Sequence, residues 1–197
     1  MKIIATVLEQ KFSEAEKRVE KVKEKSRWVQ VDVIDGVFSP GKSFELELLG
    51  RIENCERVLW DVHLMVKEPI KWVEKCSFID ASRVIGQVEM MEDREEFVDK
   101  VKGIGMEAGL AFDIDTEIGE IPKETDLVLL MGRKAGFEAR ELDEKVFEKI
   151  KKVKEMGFEV GVDGGINIEN IDKLEEAGIS IAYCGAQFEK IYDDKNK

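Results

Sequence analysis

The chain is 197 residues long, enough for one domain with a sizeable core. Its 31 Lys and Arg against 43 Asp and Glu leave a formal net charge of −12, which argues against a nucleic-acid binder but still allows a small anion held by local donors. The hydrophobic fraction is 43%, and no apolar run approaches the roughly 18 residues of a membrane span, so the chain reads as soluble and globular with no membrane partner.

Apolar runs and helical patterns alternate along the chain. Ile3 to Leu8 reads as a strand, and Ser13 to Lys25 as a helix with Ser13 at the N-cap and Glu16 closing a capping box. From Trp28 to Ile34 the residues Val29, Val31 and Val33 alternate with Gln30, Asp32 and Ile34, the period of a strand. A loop from Asp35 to Lys42 precedes a helix from about Ser43 to Glu53, then a strand from Val58 to Met65. Pro69 opens a helix to about Cys76, and Ala81 to Val88 is a weaker strand. A helix from Glu92 to about Lys102 stops at Gly103 and Gly105; a strand from Glu107 to Phe112 leads into a short helix or turn to Pro122. Asp126 to Met131 is a strand, and Leu142 to Met156 a strong helix with Val146, Ile150 and Val153 at helical spacing. The strand Phe158 to Val162 runs into Asp163-Gly164-Gly165. The helix Ile168 to Ala177 ends at Gly178 and the strand Ile179 to Cys184 at Gly185; Gln187 to Tyr192 forms a last helix, with 193–197 frayed.

Eight such alternations with no break in composition predict a single (β/α)8 TIM barrel over 1–197, in preference to an open doubly wound sheet. The chain is short for that fold, so its loops and some helices must be minimal. The N-terminal apolar run is too short for a signal peptide, and a cytoplasmic location is expected. Cys55, Cys76 and Cys184 show neither metal nor redox spacing and read as small buried hydrophobes. Charged residues reach 38%, mostly Glu and Lys, a balance that fits a thermophile.

In a β/α barrel the chemistry sits at the C-terminal strand ends, where Asp32, His63 and Asp163 all fall. A lone histidine is usually structural. Flanked by carboxylates from two other strands, His63 becomes a candidate ligand for a divalent ion such as zinc, manganese, iron or cobalt. Gln30, two residues before Asp32, faces the same side and offers a weaker carbonyl oxygen. Gly164 and Gly165 after the seventh strand, with Gly185 and Ala186 after the eighth, suit a phosphate, because glycines let backbone N–H groups approach its oxygens.

At these residues the chain resembles the ribulose-phosphate 3-epimerase family. Gln30 to Pro40 follows that family's His-x-Asp-x-Met-Asp-Gly-x-Phe-x-Pro stretch except at two places, and Asp61 to Val66 and Val162 to Asn167 follow its third- and seventh-strand motifs. The resemblance implies interconversion of ribulose 5-phosphate and xylulose 5-phosphate through an enediolate. Asp32 and Asp163 would be the two acid/bases and also metal ligands, together with His63 and, in place of a family histidine, Gln30. Thr6, Met65 and Met131 would line the substrate site, and Gly136, Gly164, Gly165, Gly185 and Ala186 would take the phosphate. It also allows a homo-oligomer. The departures lie at the metal and the phosphate together: Gln30 and Gln87 stand where the family has histidines, and Ala186 where it has a serine. Ala135 to Arg140 replaces a Pro-Gly-Phe-Gly-Gly-Gln run, so Glu138 brings negative charge that Arg133, Lys134 and Arg140 would offset. A divergent barrel enzyme for another anionic substrate and a non-catalytic ligand-binding barrel are the alternative readings.

Overall fold

The computed structural model describes residues 1–136 and 141–196. Eight parallel strands close into a barrel in chain order, with the last strand paired to the first. They are β1 (Lys2–Val7), β2 (Trp28–Ile34), β3 (Leu59–Met65), β4 (Arg83–Gln87), β5 (Glu107–Phe112), β6 (Leu127–Met131), β7 (Val160–Asp163) and β8 (Ile181–Cys184). Around them lie α1 (Phe12–Val22), α2 (Val73–Phe78), α3 (Arg94–Gly103), α4 (Lys145–Glu155), α5 (Ile171–Glu176) and α6 (Phe188–Lys195). The alternation in β2 sorts its side chains between two environments. Val29, Val31 and Val33 pack outward against the helix layer, while Gln30 and Asp32 face the barrel axis. A second apolar cluster, which includes Ile4, Ile85, Leu129 and Tyr183, fills the barrel interior.

Some local expectations change for identifiable reasons. Helix α1 starts at Phe12, whose ring packs 6.1 Å from that of Phe44, so Ser13 lies inside the first turn and Lys11 takes the cap position without a side-chain cap. The capping box at Ser13 and Glu16 therefore does not form. At α3 the cap is Asp93, whose Oδ1 accepts the N–H groups of Glu95 and Glu96 at 2.8 and 3.0 Å. Ser43 is tied back to the end of β2, its hydroxyl accepting the Ile34 N–H at 3.1 Å. The segment after it makes only a 3₁₀ turn, Leu46–Arg51, where a helix from Ser43 is expected. Between β5 and β6 the expected short helix or turn is a turn at 114–115, and Lys149 and Lys152 of α4 donate to the carbonyls of Asp113, Ile114 and Ile118 and hold that segment down. Helix α6 runs on to Lys195, past the expected frayed end, because Lys195 pairs with Asp172 and Glu175 of α5, both at 2.6 Å. Cys76 and Cys184 are buried as expected, but Cys55 is partly exposed.

Candidate active site

Parallel register brings the strand-end residues together. Asp32 stands beside His63 across β2 and β3, and Met131 beside Asp163 across β6 and β7. One ligand atom from each of Asp32, His63 and Asp163 lies within 4.8 Å of the others, all three residues buried. Asp32 and Asp163 line the floor of a cavity of about 660 Å³ at the C-terminal end of the barrel. Thr6, Met65 and Met131 line this cavity, and Gly136, Gly164, Gly165, Gly185 and Ala186 form part of its rim, so the residues expected to contact substrate converge on one space. Gln30 and His63 lie beneath it, both fully buried.

A hydrogen-bond chain ties the floor together. Gln30 donates Nε2–H to Asp32 Oδ1 at 3.0 Å and to Asp163 Oδ2 at 2.8 Å. His63 Nδ1 lies 3.1 Å from Asp32 Oδ1, and its Nε2 lies 2.9 Å from Gln87 Oε1. A neutral ring donates Nδ1–H to Asp32 and, with the Gln87 amide turned over, takes a Gln87 amide hydrogen at Nε2, whereas an imidazolium donates to both neighbours. Burial alone pulls the His63 pKa down, but the Asp32 hydrogen bond and the Asp32 and Asp163 charges outweigh it, and the net shift is upward. Asp163 moves up to about 7, first because burial disfavours its charge and then because Asp32 repels it, against the pull of His63, Gln30 and Arg133. Near neutral pH the Asp163 carboxyl is therefore partly protonated.

Gln30 thus acts as a donor that bridges two carboxylates, where an oxygen ligand is expected. Its Oε1 meets no hydrogen-bond partner among the described residues. Two carboxylates and an imidazole at this separation form a donor set that fits a divalent ion. At the rim, Gly164 and Gly165 adopt φ values of 96° and 75°, and a Cβ at Gly165 would lie 2.5 Å from the Leu142 nitrogen. Only glycine makes that turn, and the N–H groups of Gly164, Gly165 and Ala186 find no backbone acceptor among the described residues. Gly136 packs against Ser39 so closely that a Cβ would lie 2.3 Å from its hydroxyl oxygen, and Arg133 covers Gly164. The expected roles of Glu138 and Arg140 lie outside the described residues.

Several groups here carried no sequence signal of their own. Glu9, Arg18 and Glu141 line the cavity from helices and loops, where the strand-end rule does not reach. Tyr183 forms part of its lining from β8, and its hydroxyl donates to Asp61 Oδ2 at 2.6 Å. Asp61 also takes Arg83 Nη1 at 2.9 Å, and Arg83 in turn pairs with Glu107 and lies 4.6 Å over the Trp28 ring. Asp61 stands in the strand motif already noted, two residues before His63, but its partner Arg83 is identifiable only from the closed sheet.

The ribulose-phosphate 3 epimerase family model matches residues 2–188. The chain is 31% identical over 173 residues to ribulose-phosphate 3-epimerase of Chlamydia muridarum, covering 82% of this chain and 76% of that one. It is 28% identical to that of Helicobacter pylori, covering 99% and 94%. In three dimensions it is similar to phosphoribosyl anthranilate isomerase from Thermus thermophilus, with a TM-score of 0.70 at 12% identity over 100% of this chain and 98% of that one, a likeness of fold alone. With a family match across nearly its whole length and the strand-end motifs converging in one cavity, the chain belongs to the ribulose-phosphate 3-epimerase family.

Proposed function

We propose that this protein interconverts ribulose 5-phosphate and xylulose 5-phosphate by inverting carbon 3. The observation that carries this reading is the pair of buried carboxyls, Asp32 and Asp163, brought together from separate strands, with the Asp163 pKa raised to about 7. Inversion at carbon needs one base to take the proton from one face and one acid to return a proton to the other. Asp163, partly protonated near neutral pH, can serve as the acid while Asp32, the second carboxyl of the site, serves as the base. In one direction the charged carboxylate removes the C3 proton, the electrons move toward the carbonyl oxygen at C2 to give an enediolate, and the protonated partner delivers its proton to the opposite face. The reverse direction exchanges the roles.

Gln30 holds the two carboxyls in register through both of its amide N–H groups. Met65 and Met131 supply apolar walls that keep water from the enediolate. Gly164, Gly165, Gly185 and Ala186 are proposed to take the phosphate on backbone N–H groups, with Gly136 and Thr6 completing the rim. Asp32, His63 and Asp163 would hold a divalent ion, which supplies positive charge to offset the enediolate.

The test is turnover of ribulose 5-phosphate by protein stripped of metal and then given zinc, manganese, iron(II) or cobalt in turn. Metal-dependent turnover is expected, and Asp32→Asn should abolish it while circular dichroism shows the fold intact. A fully active Asp32→Asn would remove the two-base assignment. A folded wild type inactive with every metal would shift the reading to another anionic substrate in the same cavity.

A further inference from the structure

We infer that Arg18, on the helix after the first strand, is a phosphate-binding residue of this cavity. The inference rests on the reading above that the cavity takes a sugar phosphate, and begins from a charge count. Among the described ionisable side chains that line the cavity, Glu9, Asp32, Glu141 and Asp163 are acidic, and Arg18 and Arg133 are basic. A phosphomonoester brings a charge of roughly −1.5 to −2 at neutral pH. Backbone N–H groups orient such an anion but carry no net charge to balance it. The acidic lining makes a cationic partner necessary.

Arg133 is already engaged by backbone carbonyls. Its Nη1 donates to the carbonyls of Lys134 and Gly136 at 3.1 and 3.2 Å, and its side chain covers Gly164. Arg18 stands at the loop after β8. Its Nη2 donates to the Gly185 carbonyl at 2.8 Å, so the guanidinium is anchored on the loop whose N–H groups would meet the phosphate. Its Nη1 pairs with Glu189 in the first turn of α6 at 2.6 Å, and the side chain is only 16% exposed. Glu189 is shared with Lys21 at 2.8 Å, so this carboxylate faces two cations and Arg18 does not carry its neutralisation alone. These contacts use two of the five guanidinium N–H donors and fix the orientation of the rest. A planar, pre-oriented fork beside a phosphate loop is the geometry that favours arginine over lysine.

The contrast of Arg18→Gln with Glu189→Gln separates binding from structure, because each breaks the same ion pair and only the first removes the cation. Calorimetry with inorganic phosphate and the KM for ribulose 5-phosphate are measured on both variants and the wild type. Arg18→Gln should weaken phosphate about tenfold to a hundredfold and raise KM similarly, with a smaller change in kcat. Glu189→Gln should bind phosphate as tightly as wild type or tighter. Arg18→Lys, which keeps the charge without the fork, should fall between, and it stands in if Arg18→Gln does not fold. Equal weakening in Arg18→Gln and Glu189→Gln, or unchanged binding in Arg18→Gln or Arg18→Lys, overturns the inference. If wild type does not turn over ribulose 5-phosphate yet phosphate binding still depends on Arg18, the substrate assignment fails and the anion site stands. Turnover with a KM indifferent to Arg18 has the opposite meaning.

Discussion

Replacing Asp163 by Asn should change how the stability of the metal-free protein depends on pH. In the folded protein Asp163 has its pKa moved from 3.8 up to about 7, by burial first and by Asp32 second. A group that holds its proton more tightly when folded favours the native state only while protonated, so its contribution is lost as pH rises through the folded pKa. Between pH 5 and pH 8 that shift costs the wild type about 2–3 kcal/mol of stability. His63, whose pKa is also raised, acts with the same sign, since its imidazolium favours the folded state below its folded pKa. Asn keeps an oxygen for the Gln30 N–H donor at 2.8 Å but removes the titration. The assay is urea unfolding in chelator at pH 5, 6, 7 and 8 for both proteins. The wild type should lose stability across this range, and Asp163→Asn should lose less by about 2–3 kcal/mol. Parallel curves for the two proteins would refute a proton held at Asp163.

Two further outcomes test neighbouring parts of the structure. Gln30→His replaces a bridging amide by an imidazole and should tighten zinc binding in calorimetry; unchanged affinity would place position 30 outside the metal's reach. Asp61→Ala leaves the mostly buried Arg83 with only Glu107, at 44% exposure, as an ionic partner. It should cost about 3 kcal/mol in urea unfolding, and a loss under ~1 kcal/mol would mean that water or Glu107 compensates fully.

The strands and the strand-end residues were legible because both follow from local patterns. Val29, Val31 and Val33 mark one face of β2 by period alone, and that period places Gln30 and Asp32 together on the other. Eight alternations then imply closure, and closure brings Asp32, His63 and Asp163 to one end. The glycines were legible for a similar reason, since Gly164 and Gly165 take backbone angles that other residues rarely adopt. The choice of a turn over a short helix between β5 and β6 was not, because the lysines that hold that segment down lie on α4, some 35 positions away.

Local sequence therefore determined the barrel, the order of its elements and the three strand ends that carry the chemistry. Tertiary structure alone decided what those ends do to one another. Whether the Gln30 amide presents oxygen or nitrogen depends on the two carboxylates it meets, one of them 133 positions away. Whether Asp163 is charged depends on burial and on Asp32, a neighbour only once the barrel closes. Arg18 joins the cavity through Gly185, 167 positions along the chain, a contact that no periodicity encodes. Backbone pattern is set by sterics between adjacent residues, whereas hydrogen-bond direction and protonation are set by whatever the fold places within a few ångströms.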